Sequence, residues 1–349
     1  MPITKMNLKN LFQTAVDHNA SDIHLMVGKP PILRISTELK ELEMPPLTKD
    51  TLTKIIKDGI SAQQFDVFSK DKELDLSYEL PDGTRMRVNL FFEKNNPGLV
   101  ARVVPSKIPS MEDVGMPEIV YELTRLKQGL VLVTGPTGCG KSTSLAAMID
   151  LINSERSVNI VTLEDPIEFI HKPKKSIIKQ RQLGTDMLSF QSALKHVLRQ
   201  DPDVVMVGEM RDLETIAATI TLAETGHLVF ATLHTLNAAQ TVDRIIDVFP
   251  PYQQPQVRLQ VSMSLKGVIS QRLLPHRDGG LIAAREIMIN TPAIANLIRD
   301  NKIPQIKTII QTSADEGMIT MDQDLKRLVE EGKVEKDHAR QFMLSPDSL

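Results

Sequence analysis

Apolar residues near the start of the chain recur at helical spacing: Leu8, Leu11, Phe12, Ala15 and Val16 would bury one face of a helix. Gly28-Lys-Pro-Pro31 breaks that pattern, and residues 32–35 then read as a strand. Ser61-Ala-Gln-Gln64 has the form of a capping box, in which serine and glutamine satisfy each other's free backbone donors at a helix start. Pro81-Asp-Gly-Thr84 has turn composition and separates two strand-like runs. In the second run Met86, Val88, Leu90 and Phe92 alternate with Arg85, Arg87, Asn89 and Phe91, which sets two arginines opposite an apolar face. Another strand is expected over 99–104, after a break at Pro97-Gly98. Residues 1–104 thus predict a small α+β domain.

Residues 105–117 contain three prolines and one glycine, the composition of a linker, and a hinge between domains is expected there. Beyond it the pattern changes. The runs 130–134, 158–163, 204–207 and 228–233 are short and mainly apolar, and helical patterns separate them; Leu145, Met148, Ile149 and Ile152 mark one such helix beginning at Lys141. Strands buried on both faces read this way, so residues 118–291 predict an α/β core with a mostly parallel sheet. From 292 to 349 short helices are expected, including one over 321–331 stopped by Gly332.

Composition narrows the class further. The 349 residues suffice for two domains. Lys plus Arg (41) nearly balances Asp plus Glu (44), so no global field draws the chain to nucleic acid. With no tryptophan and only three tyrosines, a stacking groove for single strands is not expected either. A single cysteine excludes a disulfide framework or a multi-cysteine zinc site and fits a reducing compartment. No apolar run resembles a signal peptide or a membrane span, so a cytoplasmic location is the expectation.

The chemistry begins at Gly135-Pro-Thr-Gly-Cys-Gly-Lys-Ser-Thr143, a phosphate-loop pattern with a predicted strand leading in and a predicted helix leading out. Bare backbone N–H groups must wrap phosphate oxygens, which needs conformations open to glycine. Nucleotide contacts are expected from Thr137, Gly138, Cys139, Gly140, Lys141, Ser142 and Thr143, with Lys141 reaching the terminal phosphates and Ser142 placing its hydroxyl on Mg²⁺. Cys139 is expected to serve through its backbone N–H. Hydrolysis also requires a group that positions and deprotonates water. Asp203-Val-Val-Met-Val-Gly-Glu209 ends a predicted strand in a carboxylate, and Glu209 is the expected general base and a metal-side ligand; Gly208 stands where an aspartate is usual. Glu164 ends a second acidic strand and is expected to bind magnesium or water. His227 and His234 bracket the run 228–233, and His234 is expected to sense the γ-phosphate.

These segments resemble the secretion-superfamily ATPases that power type IV pili and type II secretion. The phosphate loop, an acidic box over 162–169, the Glu209 strand, and Thr225-Gly-His-Leu-Val-Phe-Ala-Thr-Leu-His-Thr235 occur in that family's order, and Gly208 matches the family's form. Ala20-Ser-Asp-Ile-His-Leu25, Asp243-Arg-Ile-Ile-Asp-Val-Phe-Pro250, Ala293-Ile-Ala-Asn-Leu-Ile-Arg299 and Gly317-Met-Ile-Thr-Met-Asp322 are similar to the PilT-type retraction branch, with Ala295 where that branch has arginine. The resemblance implies a RecA-like P-loop core, a PAS-like N-terminal domain, ATP and Mg²⁺ as cofactors, and a homohexamer. It also implies that Arg87 and Arg102 of one subunit reach ATP on its neighbour, with Arg85 and Arg211 as companions. The implied role is a cytoplasmic motor for pilus retraction and twitching motility. It would act at the inner membrane on a PilC-like platform protein, with a second retraction ATPase as a further partner. An accessory PilU-like ATPase and a pilus-assembly or type II secretion ATPase are the alternatives; the latter carry a tetracysteine insertion that one cysteine cannot supply.

Overall fold

The computed structural model describes residues 6–35, 38–104 and 107–343. The chain forms two compact units that divide between Lys107 and Ile108.

The first unit begins with helix α1 (Leu8–Asp17) and strands β1 (Asp22–Met26), β2 (Ile32–Ile35) and β3 (Glu38–Glu41). Helices α2 (Lys49–Gly59) and α3 (Ala62–Asp71) follow, then strands β4 (Glu73–Glu79), β5 (Arg85–Glu93) and β6 (Asn96–Val104). The strands make one antiparallel sheet in the order β3-β2-β1-β6-β5-β4. Leu8, Leu11, Phe12 and Ala15 of α1 pack into the same core as Met86, Val88 and Leu90 of β5. The capping box at Ser61 and Gln64 is present in both directions. The expected break at Pro97-Gly98 is not where the chain turns. Both residues lie inside β6, opposite Phe92 and Phe91, and the hairpin turns at Lys94 and Asn95, whose φ angles are +48° and +64°. Gly98 is required for packing instead: a Cβ there would lie 2.6 Å from the Phe91 ring.

The second unit alternates helices and strands: α4 (Glu118–Arg125), β7 (Gly129–Thr134), α5 (Lys141–Glu155), β8 (Asn159–Glu164) and β9 (Ile177–Gln182). Next come α6 (Phe190–Val197), β10 (Val204–Val207), α7 (Leu213–Glu224) and β11 (Leu228–Leu233). Then follow α8 (Ala238–Asp247), α9 (Gln254–Ser264) and the hairpin β12 (Leu265–Pro275) with β13 (Leu281–Ile289). The last helices are α10 (Pro292–Arg299), α11 (Ile306–Thr312), α12 (Met321–Glu330) and α13 (Lys336–Arg340). The sheet order is β13-β12-β7-β11-β10-β8-β9, parallel throughout except for β13. Every residue of β7, β10 and β11 is buried, as strands covered on both faces must be, and a hydrophobic core lies on each side. This is the RecA-like P-loop architecture. Strands β9, β12 and β13 had no counterpart among the sequence expectations.

The segment predicted as a linker is largely built into this unit. Pro105 lies outside the described residues, but Met111 and Met116 are buried in the core, and Arg285 of β13 donates to the carbonyls of Val114 (2.6 Å) and Gly115 (2.9 Å). Arg285 is itself buried, and loss of hydration lowers its guanidinium to about 10. Among the described residues no helix is long and apolar enough to cross a membrane.

Candidate functional site

Strand order decides where the chemistry gathers. β7, β11, β10 and β8 are adjacent and parallel, so the segments leaving their carboxyl ends emerge side by side along one edge. Those segments carry, in order, the glycine-rich loop, His234, Glu209 and Glu164, the last at the terminal position of β8. Open α/β sheets bind ligands at this edge.

The loop joins β7 to the N-terminus of α5. Gly138 and Gly140 have φ of +78° and +86°, in the left-handed region, and a Cβ on Gly138 would meet nothing within 4 Å. Thr137 and Gly138 are exposed, whereas the Cys139 side chain is buried and burial pushes its thiol up, which leaves the backbone as its usable group. Lys141 Nζ donates to the carbonyls of Gly135 (2.8 Å) and Pro136 (3.1 Å), folding back over the loop. Burial lowers its pKa, opposed first by Cys139 and then by the charges of Glu209 and Glu168, so Lys141 lies in the field of these carboxylates. A cavity of about 1020 Å³ opens beside Gly140, Thr143 and Ser144 and extends to Arg285, Ile319 and Gln323.

Glu209 is held from two sides. Its Oε1 lies 3.0 Å from Nε2 of His234, and its Oε2 lies 2.8 Å from Nη2 of Arg211. Burial pushes this carboxyl up, but the Arg211 hydrogen bond and charge, with His234 and Lys141, outweigh it and leave the pKa below the ordinary value. Glu209 is therefore ionised at neutral pH. Glu164 has the opposite environment. It is buried, Oε1 accepts from Thr162 Oγ1 (2.6 Å) and Gln180 Nε2 (3.1 Å), and burial raises its pKa. Two carboxyl groups on one edge thus differ in proton affinity because Glu164 is buried with only neutral donors to offset the lost hydration, whereas Glu209 has cations beside it.

Gly208 now has a physical reason. Its N–H donates to Leu163 O at 2.7 Å, and a Cβ would stand 3.0 Å from that oxygen and 3.3 Å from the Glu164 Cα. An aspartate at 208 would push the β8 end away. Thr232 Oγ1 also donates to the Gly208 carbonyl, so β11 fixes the same turn. Ser142 and Thr143 stand in the first turn of α5, half-buried, and no cluster of three or more His, Cys, Asp or Glu fit to hold a metal occurs among the described residues. The Ser142 hydroxyl suits Mg²⁺, a hard cation that takes oxygen ligands and keeps several waters.

His227 is at the other end of β11, where Nδ1 lies 3.0 Å from Leu222 O at the end of α7. It belongs to a helix terminus and not to this edge. In the first unit Arg87 and Arg102 are cross-strand partners, and Arg102 also faces Asp22, which faces Arg34. One row across four strands therefore reads Arg34, Asp22, Arg102, Arg87. Asp22 is buried and accepts from Arg102 Nε at 2.9 Å. Arg85 pairs with Glu79 at 3.3 Å.

Two glutamines at the edge escaped the sequence reading. Gln180 of β9 donates to Glu164 and to Phe169 O and accepts from His171 N, so it shapes the whole acidic loop. Gln271 of β12 lies under the phosphate loop. Neither sits in a local motif, so no spacing rule could have found them.

Comparison with known proteins points to one family. A family model described as "Type II/IV secretion system protein" matches residues 1–280. The chain is 46% identical to the type IV pilus retraction ATPase PilT of Pseudomonas aeruginosa over 344 residues, covering 99% of this chain and 100% of that one. It is also 46% identical to a twitching motility protein of Neisseria gonorrhoeae over 320 residues, covering 91% and 86%. The crystal structure of the pilus retraction motor PilT with bound ADP superposes with a TM-score of 0.93 at 43% identity, covering 99% of each chain.

Proposed function

Because the chain belongs to the type II/IV secretion system protein family of motor ATPases, we propose that it hydrolyses ATP to disassemble and retract a type IV pilus. The observation that carries this reading is an ionised Glu209, braced by His234 and Arg211, in the field of the phosphate-loop lysine.

In this reading backbone N–H groups of 137–143 and Lys141 bind the phosphates, and the neighbouring cavity takes the nucleoside. Mg²⁺, when bound, neutralises phosphate charge; Ser142 would hold it, with Glu164 and Glu209 on the same side. Glu209 accepts the proton of the attacking water, and His234 keeps its carboxylate aimed while registering the γ-phosphate. A cation beside Glu164 would draw it into its ionised form.

The motor is a homohexamer in which Arg87 and Arg102 of one copy stabilise charge developing on ATP bound to the next. Movement of one unit against the other, about the hinge expected within 105–117, transmits force to an inner-membrane platform protein, with a second retraction ATPase as a further partner. No nucleic acid takes part.

The test is native mass and ATPase activity of the wild type against Glu209→Gln, Lys141→Ala and Arg87→Ala. Six copies per particle, with turnover collapsing in all three variants and ATP still bound by Glu209→Gln, is the expected result. A monomer whose hydrolysis ignores Arg87 would leave the phosphate loop standing and remove the ring motor.

A further inference from the structure

We propose that Gln271 is a positioning residue that holds the phosphate loop in its anion-binding shape, an inference that rests on residues 135–143 being the ATP site. β12 runs parallel beside β7, with Ser270 opposite Thr134, so the next residue of β12 comes directly under the loop. Gln271 is 1% exposed, and both ends of its amide are hydrogen-bonded. Nε2 donates to the Cys139 carbonyl at 2.8 Å, and Oε1 accepts from Ser144 Oγ at 2.9 Å. Its backbone carbonyl lies 2.4 Å from where a Cβ on Gly135 would stand, so the loop also begins against it. One residue therefore touches the start of the loop, its inner turn and the helix that follows.

The contact with Cys139 matters most. In a planar trans peptide the C=O and N–H point in opposite directions. With the Cys139 carbonyl turned in toward Gln271, the N–H of Gly140 must face away from it. Gly140 has a φ of +86° and caps α5, at the end of the helix that favours anions. A flipped 139–140 peptide would offer a carbonyl oxygen to phosphate in place of a donor. Only a side chain that donates and accepts at once, at this length, secures both partners; leucine does neither, and a carboxylate only accepts.

The experiment compares ADP affinity, the KM for ATP and thermal stability in wild type, Gln271→Leu and Gln271→Glu. Leaving a buried carbonyl unpaired is expected to weaken ADP binding roughly tenfold in Gln271→Leu and to raise KM more than it lowers kcat. Gln271→Glu keeps volume and the acceptor for Ser144, but its ionised form sets negative charge against the Cys139 carbonyl. Protonation restores the donor, so its ADP affinity is expected to recover on acidification. Wild type measured in parallel supplies the background pH dependence from the carboxyl groups of the same edge, Glu209 and Glu164; Lys141 and Arg272 add fixed positive charge near the loop, and the Cys139 thiol stays neutral on acidification. A merely structural glutamine would give no such recovery. Gln271→Glu affinity that tracks wild type at every pH would overturn the assignment, as would Gln271→Leu binding ADP at wild-type strength. Lys141→Ala separates the two readings: if it keeps wild-type ADP affinity the loop is not the nucleotide site and both fall, and if it loses affinity the glutamine variants decide positioning alone.

Discussion

Nε2 of His234 lies 3.0 Å from Oε1 of Glu209, though the two residues leave the ends of different strands. In the proposed mechanism the imidazole supports the carboxylate that takes a proton from water. We predict that Glu209→Gln lowers kcat by about 10²–10⁴-fold, the usual share of a general base, with ATP binding intact. His234→Ala removes only the support and should cost less. Steady-state turnover with a nucleotide titration separates the two variants, and equal loss of ATP binding in both would contradict the assignment.

If Glu209 is the base, Arg211 is predicted to govern the acid limit of activity. Burial works to raise the Glu209 carboxyl, and the Arg211 hydrogen bond is the foremost influence lowering it. Removing the arginine should let the pKa rise, so that protonation silences the base at higher pH. Arg211→Ala is expected to move the acidic limb of the kcat/KM profile upward. An unmoved limb with ordinary turnover would show that Glu209 is not the titrating base.

Glu164→Gln should stabilise the nucleotide-free protein at neutral pH. Burial raises the folded-state pKa above the unfolded value, so the cost of holding this group ionised is absent below the unfolded pKa and complete above the folded one. Both donors to Oε1 find the same acceptor in an amide. The melting temperature is expected to rise at neutral pH and to be unchanged at acid pH, while Mg²⁺-dependent turnover falls. A lower melting temperature at neutral pH would refute this.

His171 sets an acid-stability window. Burial pushes its imidazole down from 6.5 to about 4, and Nδ1 has no hydrogen-bond partner. The folded-state value lies below the unfolded one, so stability is complete above the unfolded pKa and is lost as pH falls through the window between them. The loss should total about 3 kcal/mol. Urea unfolding of His171→Phe across that range should give a flatter profile than wild type; parallel profiles would place the acid sensitivity elsewhere.

In the first unit, Asp22 grips Arg102 through Nε and leaves most of the guanidinium exposed, with the arginine side chain 68% accessible. If Asp22 sets that pose for a phosphate, Asp22→Ala should lower kcat less than Arg102→Ala does, and the double variant should be no worse than Arg102→Ala alone. Additive losses would mean that the two residues act independently.

Much of the site was legible because its signals are local. Glycines at 138 and 140, a lysine and a hydroxyl at the following positions, an apolar run before and a helical period after describe a phosphate loop without reference to the rest of the fold. The apolar runs 204–207 and 228–233, which lead to Glu209 and His234, coincide with β10 and β11, because strands buried on both faces are continuous apolar runs. The break before β6 was misplaced because the turn at Lys94-Asn95 lacks glycine or proline, while Gly98 is a glycine because of the Phe91 ring packed against it. The linker was drawn too wide because proline content does not reveal that Arg285 binds the Val114 and Gly115 carbonyls.

Residue order along the chain names the groups proposed to touch phosphate, since neighbours in sequence must be neighbours in space. It does not say that β11 lies between β7 and β10, and that arrangement is what brings His234 to Glu209. Nor does it say that Gln271 lies under Cys139, that Gln180 braces Glu164, or that a side chain at 208 would strike the end of β8. Those relations depend on strand order and register, which are set by the burial of the whole sheet between two cores, and the pKa values at the edge follow from them.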